Sequence, residues 1–502
     1  MAPAARESTG PAVCESTARG EPVVVKRALL IVPPTGVYVR EDRCQSSVDD
    51  FAVSFARPPM DLLTAAAYLE AAGVEVAVRD YAMSGDTWEH FRKDLAELEP
   101  ELLLISATTS TLRDDLKACV IAKETRPRIV TCLRGVHFRD REALMSCPQL
   151  DAVLRHEDAA PVADMAAGMR LSDIRGITYR RGGGALRTPD REFVRDLDNV
   201  PMPALHLIDN RRYVRPDNGR PCAHIETGRG CPGQCFYCLV PPIHGRRIRT
   251  KSPQRVVDEV ERWVRHSGIR DFHFKSDTFT WHKRWVLAVC REILDRGLKI
   301  EWFCNSRVDT LDEERLIAMK AAGCFAVGLG IESGSQEILD RIGKGITLEQ
   351  SRKAVAMCRQ HGMLAYTYFM IGFPWDTHET VRQTIDFACK LGGDFADIFI
   401  AYPFDGTKFA KIAGEEGLLL REHGEGAYAA ATVRTHALSA DELRAYRRRG
   451  MLRFYLRPGY IARRLVRAKH PRIMWNYAAC GMKLLRNMLR RGSSDAASRC
   501  AG

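Results

Sequence analysis

The 502-residue chain lacks any uncharged apolar run of about 18 residues, the length that would cross a bilayer. Its N-terminus also lacks the apolar core of a secretory signal. We therefore expect a cytoplasmic protein with a disordered leader, residues 1–24, and a disordered tail, residues 492–502. The chain is too long for one core, and its 45% hydrophobic and 27% charged residues are typical of folded domains.

A paired cysteine framework is also missing, although the chain has 16 cysteines. Only Cys231, Cys235 and Cys238 lie close together, in the segment RGCPGQCFYC. In a reducing compartment such a cluster is typical of a metal site or a catalytic site, whereas scattered thiols are mostly packed core residues.

An even spread of positive charge is absent as well. The net charge is +12, but residues 441–491 hold fifteen Lys and Arg against two Asp and Glu, so the rest of the chain is nearly neutral. A uniformly basic nucleic-acid-binding protein is therefore not expected. Residues 411–491 are predicted to form a basic helical region. Its default role is a solvated face over a packed underside, and peripheral contact with a membrane surface is the alternative.

The first half of the chain alternates short apolar runs with amphipathic helical segments. The strand-like runs are RALLIVP, VEVAVRDY, ELLLISAT, RIVTCLRG and LDAVLRH. This pattern predicts a parallel sheet covered on both faces, a doubly wound Rossmann-like domain over residues 25–168. The GxGxxG fingerprint of dinucleotide binding does not follow the first strand, which argues against a nicotinamide cofactor.

A second alternation follows a connector. Residues 169–220 contain ITYRRGGGALRTP, a predicted hairpin, and a proline-rich segment. Residues 221–410 then contain six strand-like runs separated by helical segments: CAHIETG, RDFHFKSDTF, KIEWFCNSRV, FAVGLGIES, LAYTYFMIGFP and FADIFIAYPF. Six β/α units predict a curved or partly closed parallel barrel, so the fold class is α/β with a helical C-terminal region. The three cysteines directly follow the first of these strands, where barrel sites lie.

Three thiols limit the metal chemistry of this loop. Structural zinc normally needs four protein ligands, and His244 is the candidate for the fourth. An iron–sulfur cube normally takes four thiolates, so three leave one iron with an open coordination position. That open position would receive a small molecule.

The CxxxCxxC spacing resembles the motif of the radical S-adenosylmethionine (SAM) superfamily. The resemblance implies that Cys231, Cys235 and Cys238 hold a [4Fe-4S] cluster in a partial (β/α)6 barrel. It also implies that the cluster binds SAM and cleaves it reductively to a 5′-deoxyadenosyl radical.

Further residues match this family at strand ends and imply SAM contacts. They are Tyr237 beside the last cysteine, Asp277 after the second strand, Arg307 after the third, Glu332, Ser333 and Gly334 after the fourth, and Gly372 and Pro374 after the fifth. Ser276 stands where many relatives have an acidic residue. Arg307 has an alternative role as the partner of a helix carboxylate.

The N-terminal half is similar to the class of radical SAM enzymes with a cobalamin-binding domain. The matching segments are PPMDLLTAAAYLEAAGVEV, RGVH and DAVLRHE, with FYLRPGYI near the C-terminus. The resemblance implies bound cobalamin. However, the motif DxHxxG, which supplies a cobalt ligand, is absent around His90, His137 and His156. The domain would then bind cobalamin with its lower face free, or bind none.

The sequence thus predicts a cobalamin-dependent radical SAM enzyme, a C-methyltransferase acting on a small metabolite or a lipid-like molecule. A reductant such as flavodoxin or ferredoxin would supply electrons. One alternative is a radical SAM enzyme that forms a ring or rearranges its substrate without methyl transfer. Another is a zinc- or cluster-stabilised binding protein without turnover.

Overall fold

The computed structural model describes residues 24–41, 44–50, 56–155, 157, 159–215, 217–420, 431–467, 475, 481 and 482. These residues divide into two compact units. The N-terminal unit contains the described residues up to Thr35, with Asp61–Ala107 and Thr111–Glu192. The barrel unit contains Gly36–Met60, Thr108–Ser110 and the described residues from Phe193 onward.

Strands and helices alternate along most of the described chain. The strands are β1 (Arg27–Val32), β2 (Tyr38–Glu41), β3 (Cys44–Ser47), β4 (Glu75–Asp80), β5 (Leu102–Ser106), β6 (Val130–Arg134), β7 (Ala152–Leu154), β8 (Ile177–Arg181), β9 (Gly184–Arg187), β10 (Cys222–Arg229), β11 (Arg249–Thr250), β12 (Asp271–Ser276), β13 (Glu301–Ser306), β14 (Cys324–Glu332), β15 (Leu364–Ile371) and β16 (Phe395–Ile400). The helices are α1 (Met60–Ala71), α2 (Tyr81–Ser84), α3 (Trp88–Leu98), α4 (Leu112–Asp115), α5 (Lys117–Thr125), α6 (Asp140–Ser146), α7 (Pro161–Ala166), α8 (Val240–His244), α9 (Pro253–Ser267), α10 (Lys283–Asp295), α11 (Glu313–Ala321), α12 (Gln336–Arg341), α13 (Leu348–Gln360), α14 (His378–Leu391), α15 (Lys408–Glu415), α16 (Ala440–Tyr455) and α17 (Pro458–Arg467).

The N-terminal unit is built on a seven-stranded sheet in the order β4-β1-β5-β6-β7-β8-β9. The first five of these strands pair in parallel, and β8 and β9 extend the edge as an antiparallel hairpin. The apolar runs are buried because helices cover them, as the near-continuous LLLIS of β5 requires. The chain reverses its strand order between β1 and β5, which is where open α/β sheets bind ligands.

The barrel unit contains six parallel strands in chain order, β10-β12-β13-β14-β15-β16, with short β11 antiparallel to β10. This arrangement confirms the predicted partial barrel. Alternate side chains point to opposite faces of each strand. On the face that the helices cover, Phe274 stacks on Trp302 with ring centroids 4.7 Å apart. The opposite face is the interior of the curved sheet.

The barrel helices carry explicit start and stop signals. Helix α9 begins after Ser252, whose side chain accepts a hydrogen bond from the Arg255 amide, and it has Pro253 at its first position. It ends at Gly268, whose left-handed conformation favours glycine. Its apolar side chains recur on one face and are buried: Val256, Val257, Val260 and Trp263.

Two parts of the chain lie in a different unit from the one expected. The hairpin predicted for the 169–220 connector exists as β8 and β9, but it belongs to the first sheet, so the connector divides between the units. Segment 36–60, expected in the Rossmann-like domain, belongs to the barrel unit. Local sequence pattern identifies strands but not the sheet that they join.

The C-terminal region is helical where it is described, as predicted. Helix α17 is anchored to the barrel because Arg464 pairs with Asp394 and Tyr460 donates a hydrogen bond to the Asp394 carbonyl oxygen. Across the described residues, every helix is too short or too polar to span a bilayer. Residues 1–23 of the predicted leader, the tail and much of the basic region lie outside the described residues.

Candidate active site

The cysteine loop leaves the carboxyl end of β10 through a constrained turn. Gly230 has φ +91°, and a Cβ there would lie 2.1 Å from the Arg247 carbonyl oxygen, so only glycine fits. The Gly230 amide donates to Asp277 Oδ2 at 2.7 Å. The loop then runs into α8. Two backbone bonds hold its far side, from the Phe236 amide to the Ile342 carbonyl and from the Phe409 amide to the Phe236 carbonyl.

The three predicted ligand cysteines share one environment. Each is partly exposed, in contrast to the buried Cys222, Cys290, Cys304, Cys324 and Cys358. Backbone amides point at two of the sulfurs: the Gly233 amide lies 3.4 Å from Cys231 Sγ and the Val240 amide lies 3.4 Å from Cys238 Sγ. Such N–H groups stabilise thiolates and tune the potential of iron–sulfur clusters.

Gly233 leaves space between two of the sulfurs. A Cβ at this position would lie 3.2 Å from Cys231 Sγ and 4.0 Å from Cys235 Sγ. Although Cys238 is partly exposed, desolvation by the surrounding loop, together with the negative charge of Cys235, raises its pKa to about 12. Three neighbouring thiolates therefore need a cationic centre to neutralise them, and the loop fits one.

The spacing of the ligand atoms favours a cluster over a single zinc ion. Tetrahedral zinc with bonds of about 2.3 Å holds its thiolate sulfurs about 3.8 Å apart. Among the described residues, the three cysteines do not form a group whose ligand atoms all lie within 4.8 Å of one another. An iron–sulfur cube has its cysteines on different irons and needs this wider separation.

Asp277 and His244 form a buried pair beside the loop. His244 Nδ1 lies 2.8 Å from Asp277 Oδ2, and both side chains are 4% exposed. Asp277 Oδ2 also accepts the Gly230 amide. Asp277 thus fixes the start of the cysteine loop. Its predicted contact with the SAM amino group stays a prediction, and His244 has Asp277 as the partner of its Nδ1.

Arg307 lies after β13 and pairs with Asp309, in the short 3-10 turn that follows it; its predicted contact with SAM stays a prediction. Its Nε and Nη2 atoms each lie 2.9 Å from an Asp309 carboxylate oxygen. Nη2 also donates to the Lys344 carbonyl oxygen. Its Nη1 lies 3.8 Å from the position of a Cβ on Gly233. The guanidinium is therefore held beside the cysteine loop.

Tyr237, Glu332 and Lys344 form a polar cluster at the end of β14, in which Glu332 and Lys344 are buried and Tyr237 is half-buried. Lys344 Nζ lies 2.7 Å from Glu332 Oε1. The pKa of Tyr237 is raised well above its usual value by desolvation, by the negative charge of Glu332 and by a hydrogen bond between Tyr237 and Glu332. Glu332 has φ +69°, a left-handed conformation rare for a residue with a side chain. Such strain is common at ligand sites. Sequence reasoning missed Lys344, because nothing in the pattern links positions twelve residues apart.

Ser333 and Gly334 are tied to helix α14. Ser333 Oγ lies 3.1 Å from Thr384 Oγ1, and the Gly334 amide donates to the same hydroxyl at 3.0 Å. A Cβ on Gly334 would lie 2.6 Å from the Gln383 carbonyl oxygen and from Phe387 Cβ. Close packing against the helix therefore explains this glycine, whereas its predicted SAM contact remains untested.

The loop Gly372–Pro374 is held by a carboxylate that sequence reasoning missed. Asp376 Oδ2 accepts the amides of Gly372 at 2.9 Å and Phe373 at 3.0 Å, and Thr380 Oγ1 donates to Oδ1 at 2.8 Å. Burial raises the pKa of Asp376 to about 6. The usual Asx-turn signal would not have found this contact, because an Asp in such a turn accepts an amide two residues after it, and Asp376 accepts amides that precede it. Phe373 also lies 5.4 Å from the Tyr237 ring.

The carboxyl edge of the first sheet is polar at its switch point. Thr35 Oγ1 donates to Asp115 Oδ1 at 2.6 Å, and Ser106 Oγ donates to Asp61 Oδ2 at 3.0 Å. Gly135 has φ +97°, and a Cβ there would lie 2.2 Å from the Ala107 carbonyl oxygen. Backbones from two strands therefore meet closely at an edge rich in hydroxyl groups. This edge fits a large cofactor with many amide groups.

Of the three histidines considered as cobalt ligands, His90 has a described side-chain contact. His90 serves the start of α3, where its Nδ1 accepts the Thr87 amide. The backbone of His137 follows β6, and His156 lies outside the described residues.

Comparison with known proteins agrees with this geometry. Residues 225–388 match the radical SAM superfamily, and residues 52–166 match the B12 binding domain. The uncharacterized methyltransferase PH0819 of Pyrococcus horikoshii is 31% identical over 461 residues, which are 88% of this chain and 98% of that protein. The chain belongs to the radical SAM superfamily, in the class that carries a B12-binding domain. It is therefore an enzyme.

A further sequence relative and a solved structure also match this chain. Anaerobic magnesium-protoporphyrin IX monomethyl ester cyclase of Rubrivivax gelatinosus is 29% identical over 362 residues, 69% of this chain and 65% of the cyclase. The radical SAM methyltransferase TsrM of Kitasatospora setae, solved with cobalamin and a [4Fe-4S] cluster, matches with TM-score 0.66 at 18% identity, over 92% of this chain and 99% of that one. This likeness confirms the predicted fold.

Proposed function

We propose that the protein is a cobalamin-dependent radical SAM methyltransferase that adds a methyl group to carbon in a small-molecule substrate. The observation that carries the proposal is the three-thiol loop at the carboxyl end of the first barrel strand, in a chain that also has a B12-binding domain. We assign cobalamin binding to residues 25–168, apart from segment 36–60, which belongs to the barrel unit, and cluster and SAM binding to residues 221–410.

Different residues would bind the cluster and SAM. Cys231, Cys235 and Cys238 would hold the [4Fe-4S] cluster. Tyr237, Asp277, Arg307, Glu332, Ser333, Gly334, Gly372 and Pro374 would bind or orient SAM. When bound, the cluster supplies the electron that cleaves SAM to a 5′-deoxyadenosyl radical, and cobalamin carries the methyl group to the substrate.

The chain's own side chains orient the SAM molecule and limit the access of water. Glu332 and Lys344 present a fixed pair of opposite charges, which suits the amino and carboxylate groups of an amino acid. Phe236 packs against Phe373, Trp375 and Phe409 with tilted rings, at centroid distances of 5.2–5.7 Å. This apolar layer shields the loop, as radical chemistry requires.

Ring formation without methyl transfer is the second candidate. Its support is the 29% identity to the anaerobic magnesium-protoporphyrin IX monomethyl ester cyclase of Rubrivivax gelatinosus. A binding protein without turnover is set aside, because the family is one of enzymes.

We propose a cytoplasmic protein that receives electrons from flavodoxin or ferredoxin. Its basic C-terminal region favours contact with an anionic membrane surface. On α17, Ile461 and Arg463 are exposed, whereas Tyr460 and Arg464 are buried against the barrel. Trp475 and Met482, 69% and 59% exposed, add apolar side chains to this basic region. Exposed apolar and basic residues together favour anionic lipid surfaces, and a lipid-like substrate would suit such contact.

The test is the cofactor and product balance of the full chain, purified and reconstituted without oxygen. We expect corrin absorption bands beside those of the cluster, and S-adenosylhomocysteine, the by-product of methyl donation, in addition to 5′-deoxyadenosine. Incubation with the substrate should yield a product heavier by one methylene unit. Release of 5′-deoxyadenosine without S-adenosylhomocysteine would favour the ring-forming alternative.

A further inference from the structure

A second group of potential metal ligands lies inside the barrel unit, apart from the cysteine loop. Glu41, His224 and His273 each offer a ligand atom, and these three atoms lie within 4.8 Å of one another. Among the described residues, they are the only such group of three or more His, Cys, Asp and Glu side chains. The radical chemistry proposed above makes no use of them.

The two histidines are brought together by strand register. His224 on β10 and His273 on β12 are paired positions of adjacent parallel strands, so both project from the same face. This face is opposite to the helix-covered face that carries Phe274. His224 Nε2 lies 3.0 Å from His273 Nδ1, a hydrogen-bond distance, and a tetrahedral metal ion with bonds of about 2.0–2.1 Å would hold two imidazole nitrogens about 3.3 Å apart. The ring of His273 is fixed by stacking on Phe303, with centroids 4.4 Å apart and an angle of 6°.

The carboxylate comes from a distant part of the chain. Glu41 ends β2, in the segment 36–60 that joins the barrel unit. Its Oε1 lies 3.7 Å from Nδ1 of His224, which is not the ring nitrogen that faces His273. Arg57, from the same segment, pairs with Glu41 Oε1. Carboxylates that bind metals are commonly held by such outer partners, and the second oxygen remains a candidate ligand.

The ligand set selects the kind of ion. Ca²⁺ and Mg²⁺ need several oxygen ligands, and this group has one carboxylate with the positive charges of Arg57 and Lys275 nearby. Two imidazoles and one carboxylate suit divalent transition metals instead. The histidines are almost fully buried, 2% and 0% exposed, so their ring nitrogens are shielded from water.

We propose that Glu41, His224 and His273 bind one divalent transition metal ion, such as Zn²⁺, inside the barrel. The ion links segment 36–60 to strands β10 and β12. Three protein ligands leave a further coordination position for water or for a heteroatom of a bound molecule.

The test uses zinc and is independent of the radical reaction. The full chain carrying Cys231→Ser, Cys235→Ser and Cys238→Ser cannot hold the cluster through its three thiols. After incubation with Zn²⁺ and desalting, we expect about one zinc per chain by mass spectrometry. Adding His224→Gln and His273→Gln should reduce zinc retention at least tenfold. The matched control is His266→Gln, because His266 is exposed on α9.

A second measurement keeps the proposal falsifiable if the histidine variants fail to fold. The triple Cys→Ser variant, with His224 and His273 intact, is loaded with Co²⁺. Pulsed electron paramagnetic resonance then measures the nitrogen couplings of imidazoles bound to the ion. Two coupled imidazoles would support the site. Zinc retained equally without His224 and His273, or Co²⁺ without imidazole coupling, would overturn it.

Discussion

Lys344 Nζ lies 2.7 Å from Glu332 Oε1, and both side chains are about nine-tenths buried at the end of β14. The backbone of Glu332 is in the left-handed conformation, with φ +69°, which is rare for a residue with a side chain. Lys344 Nζ would also lie 3.0 Å from a Cβ on Gly330, so the adjacent glycine makes room for the ammonium group. Charge, backbone conformation and close packing therefore fix one carboxylate beside Tyr237.

Lys344→Met keeps most of the side-chain volume but removes the charge. Glu332 would then be a buried carboxylate without its cation, which typically costs about 3–5 kcal/mol. We expect a lower free energy of unfolding and at least a tenfold loss of SAM affinity in the reconstituted enzyme, measured by calorimetry. Lys353→Met on the exposed face of α13 is the control. Unchanged SAM binding in a folded Lys344→Met variant would contradict the assignment of this pair.

Gly233→Ala tests the space between the cysteines. The added methyl group would lie 3.2 Å from Cys231 Sγ, tighter than most real contacts, at a position where a cluster must fit. We expect iron and sulfide per chain to fall several-fold after reconstitution, with the fold intact. Gly459→Ala is the control, since its Cβ would meet nothing within 4 Å. Equal iron content in the two variants would show that Gly233 does not limit the loop.

Gly334→Ala separates packing from SAM binding. Its Cβ would lie 2.6 Å from Phe387 Cβ and from the Gln383 carbonyl oxygen, so helix α14 would have to move. Overpacking of this kind typically costs about 1–3 kcal/mol. We expect a lower melting temperature in the absence of SAM. Gly414→Ala, with an ordinary contact of 3.9 Å to Leu419 Cδ1, should leave it unchanged. If the Gly334→Ala variant melts at the same temperature as the unsubstituted chain, packing against α14 does not require a glycine here, and ligand contact becomes the explanation for Gly334.

Asp376→Asn should change how stability depends on pH. Burial raises the pKa of Asp376 from 3.8 to about 6. The folded state therefore binds this proton more tightly than the unfolded state. The resulting contribution to the free energy of unfolding is fully present below pH 3.8 and is lost as the pH rises through about 6. Asparagine has no such titration and still offers an oxygen to the Gly372 and Phe373 amides.

The free energy of unfolding of the variant, relative to the unsubstituted chain, should therefore rise by up to about 3 kcal/mol between about pH 4 and about pH 7. Urea denaturation at these two values measures it. Parallel pH profiles for the two proteins would contradict the buried, protonated state of Asp376.

Much of the architecture was predictable because it rests on local patterns. The run RALLIVP became β1, and the six apolar runs after Cys222 became six parallel strands in chain order. The cysteine loop was predictable for a different reason: the CxxxCxxC spacing places three thiols within eight residues, which indicates a metal site without any knowledge of the fold.

The remaining parts of the site depend on contacts between distant positions. Glu41 meets His224 through a segment that leaves the first sheet after β1, and no periodicity reports that path. Lys344 reaches back to Glu332 from a loop beyond α12. The roles of Ser333 and Gly334 became visible only with their contacts to Thr384, because a strand-end motif cannot distinguish packing from ligand binding.

The most direct test is the release of 5′-deoxyadenosine by the anaerobically reconstituted full chain, given SAM and a strong reductant. The account predicts release from the unsubstituted protein, and loss of both cluster and release in Cys235→Ala. An intact cluster that cleaves no SAM under any reductant, or full cleavage by Cys235→Ala, would contradict it.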